Sequence, residues 1–222
     1  MTNEAGPNVV YNGLVVYFDA ANSRSYPGSG TTWTDIVGSR SATLANGATF
    51  SNNSMVFNGT SAIITFSISG IDFSSAQTII MALKPNENDG NRRNPYNNAY
   101  AGYGTITHEP SGIFNYYHGT SGTDGATYQG TTSTMTVAQN ENAIIAVSRG
   151  SSSVKWYKNG ILSDSVGNSY PTAVSSTNGA YIGYGYAGAY SGNIYLLMMY
   201  NRQLTDTEIL QNFNALKGRY GL

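Results

Sequence analysis

The chain has 222 residues, of which only 10% are Asp, Glu, Lys or Arg, against roughly 25% in an average soluble domain. Twelve acids face eleven bases, a balance that excludes both a basic nucleic-acid binder and an acidic solvating tail. The hydrophobic share of 40%, with 26 glycines and 18 tyrosines, excludes a disordered chain and predicts one sizeable core. There is no cysteine, so disulfides, thiolate metal sites and a cysteine nucleophile are ruled out. The first ten residues carry Glu4 and no cation before an apolar run, unlike a secretory leader, and no apolar stretch approaches the ~20 residues of a membrane helix. The expectation is a protein made and folded in a cytoplasm, with no membrane and no nucleic acid among its partners.

Taken in chain order, residues 1–12 read as an N-terminal arm free to extend along a neighbour, and 13–222 as one domain. Strand-like runs rich in Val, Ile and Phe recur at 13–20, 54–57, 62–68 and 78–83. Four more follow at 143–148, 154–158, 180–184 and 194–200. In 154–158 (VKWYK), Val154, Trp156 and Lys158 alternate with Lys155 and Tyr157, the pattern of a half-buried antiparallel strand. Asn-Gly at 12–13, 46–47, 58–59, 159–160 and 178–179 and Asp-Gly at 89–90 and 124–125 tolerate the positive φ of tight turns. The two Asn-x-Ser/Thr matches, at Asn52 and Asn58, read as turn chemistry as well.

Between 85 and 102 the chain is polar and glycine-rich, which predicts a long loop of functional interest. Near the end, Thr205 and Glu208 form a T-x-x-E capping box, and Ile209, Leu210, Phe213 and Leu216 share a stripe at helical spacing. A helix is therefore predicted over about 205–217, stopped at Gly218 and packed on the sandwich edge. The fold class is all-β: a two-sheet antiparallel sandwich with one short C-terminal helix.

Four segments resemble a known family. They are GLVVYFDAANSRSYPGSGTTWTDI from Gly13, SMVFNGT from Ser54, VKWYKNG from Val154 and YNRQLTDTEILQNFNALKGRYGL from Tyr200. In this order they resemble the concanavalin A-like, laminin-G-like domains encoded by tailed phages. The resemblance implies a jelly roll of about a dozen strands and a place in a virion, where other capsid or tail subunits would be the partners. After Asp35 the sequence reads VGSRS, where the family usually carries a Ser-Gly-Asn-Gly type loop, so no function tied to that loop carries over.

The chemistry legible in the sequence is sparse. A glycoside hydrolase needs two carboxylates about 5–10 Å apart. The close pairs are Glu87/Asp89 in the polar loop and Asp206/Glu208 at the helix start, with Asp19 and Asp164 as a remote pair. His108 and His118 flank a predicted hairpin and read as surface or turn residues, short of the third ligand a metal site needs. Gly183 to Gly188 matches G-x-G-x-x-G, but leads into another strand where a dinucleotide site needs a helix. No specific calcium motif is present; Asp19, Asp35 and the 86–98 loop are the calcium candidates, on the strength of carrying oxygen donors alone.

Tyrosine is the remaining signal, since it stacks an apolar face on a sugar or protein while its hydroxyl stays hydrogen-bonded. Tyr96, Tyr100 and Tyr103, with Tyr116 and Tyr117, are the candidate partner- or glycan-binding residues, whereas the run Tyr181, Tyr184, Tyr186 and Tyr190 reads as strand packing. The reading is a non-enzymatic phage virion protein, a capsid decoration or tail-associated module that binds other virion proteins, with homo-oligomers open to it. A host-glycan-binding receptor protein is the first alternative and a glycoside hydrolase the second.

Overall fold

In the computed structural model, residues 7–86 and 90–222 are described. Sixteen strands among them form two eight-stranded antiparallel sheets. In chain order they are β1 (Leu14–Asp19), β2 (Thr32–Thr34), β3 (Ser41–Ala45), β4 (Thr49–Ser51), β5 (Ser54–Asn58), β6 (Ile63–Phe66), β7 (Gln77–Pro85) and β8 (Arg93–Asn97). There follow β9 (Thr105–His108), β10 (Phe114–Gly119), β11 (Tyr128–Thr132), β12 (Ala143–Arg149), β13 (Ser153–Lys158), β14 (Ile161–Gly167), β15 (Ala180–Ile182) and β16 (Ser191–Tyr200). One helix, α1 (Asp206–Leu216), runs into a 3-10 turn over Lys217–Arg219.

The first sheet runs β14-β13-β12-β7-β16-β5-β4. The ten-residue β16 is long enough to hold two short strands end to end on one flank: Ser191 to Ile194 pair with β5, and Leu196 to Tyr200 pair with β1. The second sheet runs β11-β10-β9-β8-β15-β6-β3-β2. Between the sheets lies the main core, which includes Phe18, Trp33, Phe57, Met81, Tyr96, Phe114 and Trp156, all essentially excluded from solvent. Tight turns carry the chain between strands: Asn52 and Asn53 both take positive φ (50° and 58°) between β4 and β5, as do Asn159 and Gly160 (51° and 80°) between β13 and β14.

The centre of the first sheet is buried on both faces. A second apolar cluster joins Ile80, Ala82, Ile144, Ala146, Leu196 and Met198 on its outer surface to Leu204, Ile209 and Leu216. This explains why β7, β12 and β16 read as unbroken apolar runs, and it buries Tyr157, which the alternation alone left half-exposed. The helix thus lies across the sheet's outer face, not along the sandwich edge. Its capping box is complete: Thr205 Oγ1 accepts the Glu208 N–H (3.3 Å) and Glu208 Oε2 accepts the Thr205 N–H (2.9 Å). The buried stripe differs from expectation at one position, where Asn212 faces inward and Leu210 is left exposed. Asn212 belongs there because its Oδ1 accepts the Val10 N–H (2.8 Å) and its Nδ2 donates to the Tyr200 hydroxyl (3.0 Å).

The same contacts tie down the chain's start. Tyr200 donates to the Val10 carbonyl (2.9 Å), Gln211 to that of Asn8 (2.8 Å) and Arg202 to that of Asn12 (2.8 Å). Residues 8–12 therefore lie on the helix in place of a free arm; residues 1–6 are outside the described residues. The polar stretch 85–102 is not one loop either. It contains β8, which sits between β9 and β15 in the second sheet, with the ladder to β9 broken between Arg93 and Tyr96, where Pro95 has no N–H to give. Whereas α1 covers the outer face of the first sheet, the outer face of the second is open over β10 and β11 and over β6 and β3, with β8 and β9 buried on both faces between them.

Candidate ligand-binding face

The β10–β11 register decides which tyrosines reach that open face. Tyr117 pairs with Gly130 and Gly119 with Tyr128, so Tyr117 and Tyr128 point outward while Tyr116 and His118 point into the core. Two loops add one ring each. Tyr100, in the β8–β9 connection, is held by its N–H on Asp124 Oδ1 (3.0 Å). Tyr186 sits in the 183–190 segment, which folds over β8: Ala187 N–H donates to Asn94 Oδ1 (2.6 Å), and a Cβ on Gly185 would come within 2.7 Å of Asn94 and Asn97.

The four rings close a cycle. Centroids are 5.1 Å apart for Tyr100–Tyr128, 5.9 Å for Tyr128–Tyr117, 6.3 Å for Tyr117–Tyr186 and 5.0 Å for Tyr186–Tyr100. Tyr128 and Tyr186 are the outer members, 46% and 44% exposed, so their ring surface is available for stacking. Arg92 ties the cycle together: Nη2 donates to the hydroxyls of Tyr117 (2.8 Å) and Tyr186 (3.2 Å), and its guanidinium carbon lies 5.8 and 5.6 Å from the two ring centroids. Its Nε reaches both oxygens of Glu109 (3.1 and 2.9 Å), and Thr107 donates to Oε1 (2.5 Å). Burial pushes the Glu109 carboxyl up, but hydrogen bonds from Thr107, Asn115 and Arg92 outweigh it and hold the group below its ordinary value. Burial, with Tyr117 beside it, pushes the Tyr186 hydroxyl well above its ordinary value, so it stays a neutral donor and acceptor. A groove of about 610 Å³ opens beside Arg92 and Tyr186.

Of the five tyrosines singled out in the sequence, the structure brings Tyr100 and Tyr117 together on this face. Tyr96 and Tyr116 are core residues and present no surface to a partner, and Tyr103 is buried apart from an edge that borders a cleft beside Tyr181. The Tyr116 hydroxyl donates to Gln77 Oε1 (3.0 Å) and takes the Arg149 Nε–H (3.3 Å). Tyr128 and Tyr186 complete the cycle and were missed; the run containing Tyr186 reads as packing, which holds for Tyr190 alone of its members.

The histidines are buried, not on turns. His108 pairs across the hairpin with Phe114, and His118 lies four residues further along β10, about 14 Å away, so the two imidazoles do not meet. Burial holds each well below its ordinary value, at about 4, with Arg149 adding to the effect at His118. Among the described residues no three acids or histidines cluster as a metal site. Asp19 accepts from Tyr220 (3.3 Å) and pairs with Arg219 at 2.5 Å. Asp35 accepts the N–H groups of Tyr17 (2.9 Å) and Val37 (3.0 Å), 3.7 Å from Arg40. Both carboxylates are thus engaged by the protein itself.

The hydrolase pairs separate too. Asp19 on β1 and Asp164 on β14 stand five strand spacings apart, about 24 Å, far beyond working range. Asp206 is taken by Lys155 and Tyr157 (2.9 and 2.7 Å), and Glu208 by the cap and Arg202. Glu87 and Asp89 lie outside the described residues. The G-x-G-x-x-G stretch is the loop over β8, with Gly183 and Gly188 at φ 80° and 107° and a strand following.

Comparison with known proteins agrees with this architecture. A sequence model of the Concanavalin A-like lectin/glucanases superfamily matches residues 57–210. No curated protein matches the chain. Among solved structures, Trypanosoma rangeli sialidase superposes with a TM-score of 0.68 at 16% identity, covering 93% of this chain and 33% of that one. The same sialidase in complex with sialic acid gives 0.67 at 17% identity, again over 93% and 33%. The botulinum neurotoxin serotype D binding domain gives 0.70 at 10% identity, over 90% and 51%. The chain thus spans about a third of the sialidases and half of the toxin fragment, and at these identities the likeness is one of fold. By the family match and the two-sheet sandwich with its terminal helix, the chain belongs to the Concanavalin A-like lectin/glucanases superfamily.

Proposed function

We propose that the chain is a non-catalytic glycan-binding module whose site is the tyrosine cycle on the open face of the second sheet. The carrying observation is the cycle itself: four rings in mutual contact, three of the pairs edge to face and Tyr100–Tyr186 tilted, with Arg92 bonded to Tyr117 and Tyr186 and with Tyr128 and Tyr186 exposed. Stacked aromatic faces suit the apolar side of a pyranose, and the Arg92–Glu109 pair sets donor and acceptor side by side for neighbouring hydroxyls. The superfamily's lectins and the sialic-acid complex of a structural neighbour support a sugar ligand. A glycosidase acid needs a raised pKa, whereas Glu109 is held ionised, and Asp124 is occupied with the Tyr100 N–H. The test is a glycan array with the wild type and Tyr186→Ala. Binding by the former and a loss of about tenfold or more in the latter is expected for a removed stacking ring; an array with no hits overturns the reading.

A second reading, docking on other subunits of a phage particle, has its own observation. The edge strand β14 exposes Ile161 (71%), Leu162 and Val166 without a covering strand among the described residues. Immunogold labelling of intact particles tests it: gold on head or tail supports a virion part, and unlabelled particles with well-labelled coat proteins overturn it.

A further inference from the structure

Three tyrosines of one segment each wall a different depression. Tyr181 alternates with the buried Ala180 and Ile182, so it faces outward, and with Thr65, Ile68, Tyr103 and Thr177 it lines a cleft of about 540 Å³. Tyr184, 41% exposed, lines a smaller hollow of about 210 Å³ with Asn46, Thr60, Ser61 and Ile63. Tyr186 borders the 610 Å³ groove beside Arg92. No acid lines any of the three among the described residues; hydroxyls, amides, backbone and aromatic rings do, joined in the groove beside Tyr186 by Arg92 and Arg93.

The segment carrying these rings is fixed in place. Gly183 N–H donates to the Pro95 carbonyl (3.0 Å), Tyr190 N–H to that of Gly183 (2.9 Å), Gly188 N–H to that of Gly185 (3.0 Å) and Ala187 N–H to Asn94 Oδ1 (2.6 Å). At positive φ (80°) and pressed against the Phe57 ring, Gly183 turns the chain where a side chain could not fit. Tyr186 follows Tyr181 by five positions, so their Cα atoms lie at most about 18 Å apart. That is within the span of one short oligosaccharide, and the rings need no ordering when it arrives.

We infer that segment 180–190 is the spine of an extended site that takes a neutral polysaccharide chain at three subsites, rather than one terminal sugar. The inference rests on the glycan reading above and adds the length of chain recognised. Linked subsites make affinity climb with chain length, because each further contact is intramolecular.

The experiment is calorimetric titration with cello-, malto- and manno-oligosaccharides of one to six residues, using the series of the sugar that scores on the array. Wild type is expected to gain at least tenfold in affinity from two residues to six. Tyr181→Ala and Tyr184→Ala are each expected to lose about tenfold for the hexasaccharide and nothing for the disaccharide, with Tyr181→Phe behaving as wild type. Unchanged melting temperature separates loss of contact from misfolding; for Tyr184, already half in solvent, misfolding is not at issue. Equal affinity for two and six residues, or full hexasaccharide binding by both alanine variants, overturns the inference while the tyrosine-cycle reading stands. An array without hits overturns both.

Discussion

Gly130 lies directly across the β10–β11 ladder from Tyr117, and a Cβ placed on it would come within 2.9 Å of the Tyr117 ring. The glycine makes room for the ring to lean across the neighbouring strand, where it meets Tyr128 and Arg92. Gly130 is exposed and needs no unusual φ, so a larger residue there is compatible with the strand and with its β-propensity. Gly130→Val is therefore expected to keep or slightly raise the melting temperature while displacing Tyr117 and weakening glycan binding by about tenfold, the scale of one lost stacking contact. Differential scanning fluorimetry beside array titration reads both. Wild-type binding by Gly130→Val would show that Tyr117 takes no part.

Stability should fall on acidification over a defined window. His108 and His118 are neutral when folded, with values held at about 4 by burial, against an ordinary 6.5. A base whose folded value is depressed is charged first in the unfolded state. Stability is therefore whole above pH 6.5 and is drained as pH falls towards 4. Each histidine accounts for a loss of roughly 2–3 kcal/mol between pH 7 and 4.5. Urea unfolding at the two pH values checks this, and His118→Gln should remove about half of the histidine-derived difference, since its amide does not titrate.

What the sequence concealed has the same physical origin in each case: parity and coverage. Period two guarantees that one of Tyr116 and Tyr117 faces the core, but only the β10–β11 register says which. Strand β8 escaped notice because its outer residues, Asn94 and Asn97, are buried by the loop over them and satisfied by Ala187 and Thr105, so burial left no apolar signature. The capping box, by contrast, was legible because its partners are three residues apart. The helix's inner face was only partly so, as Asn212 earns its buried place from Val10 and Tyr200, roughly 200 and 12 residues away. Tyr128 and Tyr186 carried no local mark at all; the glycine opposite Tyr117 is the nearest thing to one.

The cap itself should be measurable. Thr205→Ala removes the acceptor for the Glu208 N–H and is expected to cost about 1 kcal/mol. Glu208→Gln should cost at least as much, because it also breaks the pair with Arg202 (2.6 Å), whose hydrogen bond holds the Glu208 carboxyl down to about 2. That contribution is present above about pH 4.5 and is lost as pH falls towards 2. Chemical denaturation of both variants at pH 7 and pH 3 checks it, with the gap between Glu208→Gln and wild type narrowing at the lower pH.

Arg149 poses the sharpest energetic question in the core. It is fully buried, yet among the described residues no carboxylate lies within ion-pair distance. Its guanidinium is held by dipoles alone: the carbonyls of Phe73 and Ser74 and the Tyr116 hydroxyl. A planar fork with five N–H groups meets three acceptors in different directions, which a lysine ammonium on a flexible stem does not reproduce. Arg149→Lys is therefore expected to destabilise the fold by roughly 2–3 kcal/mol, as buried acceptors lose their donors. Arg149→Met, of similar length and uncharged, removes the cost of burying a charge along with those bonds, and so should be the milder change. The charge also depresses His118, so in Arg149→Met the His118 titration should move up from about 4 towards 6.5. NMR titration of the two imidazoles reads that shift, with His108 as the internal control; a His118 curve that stays in place would show that burial alone sets its value.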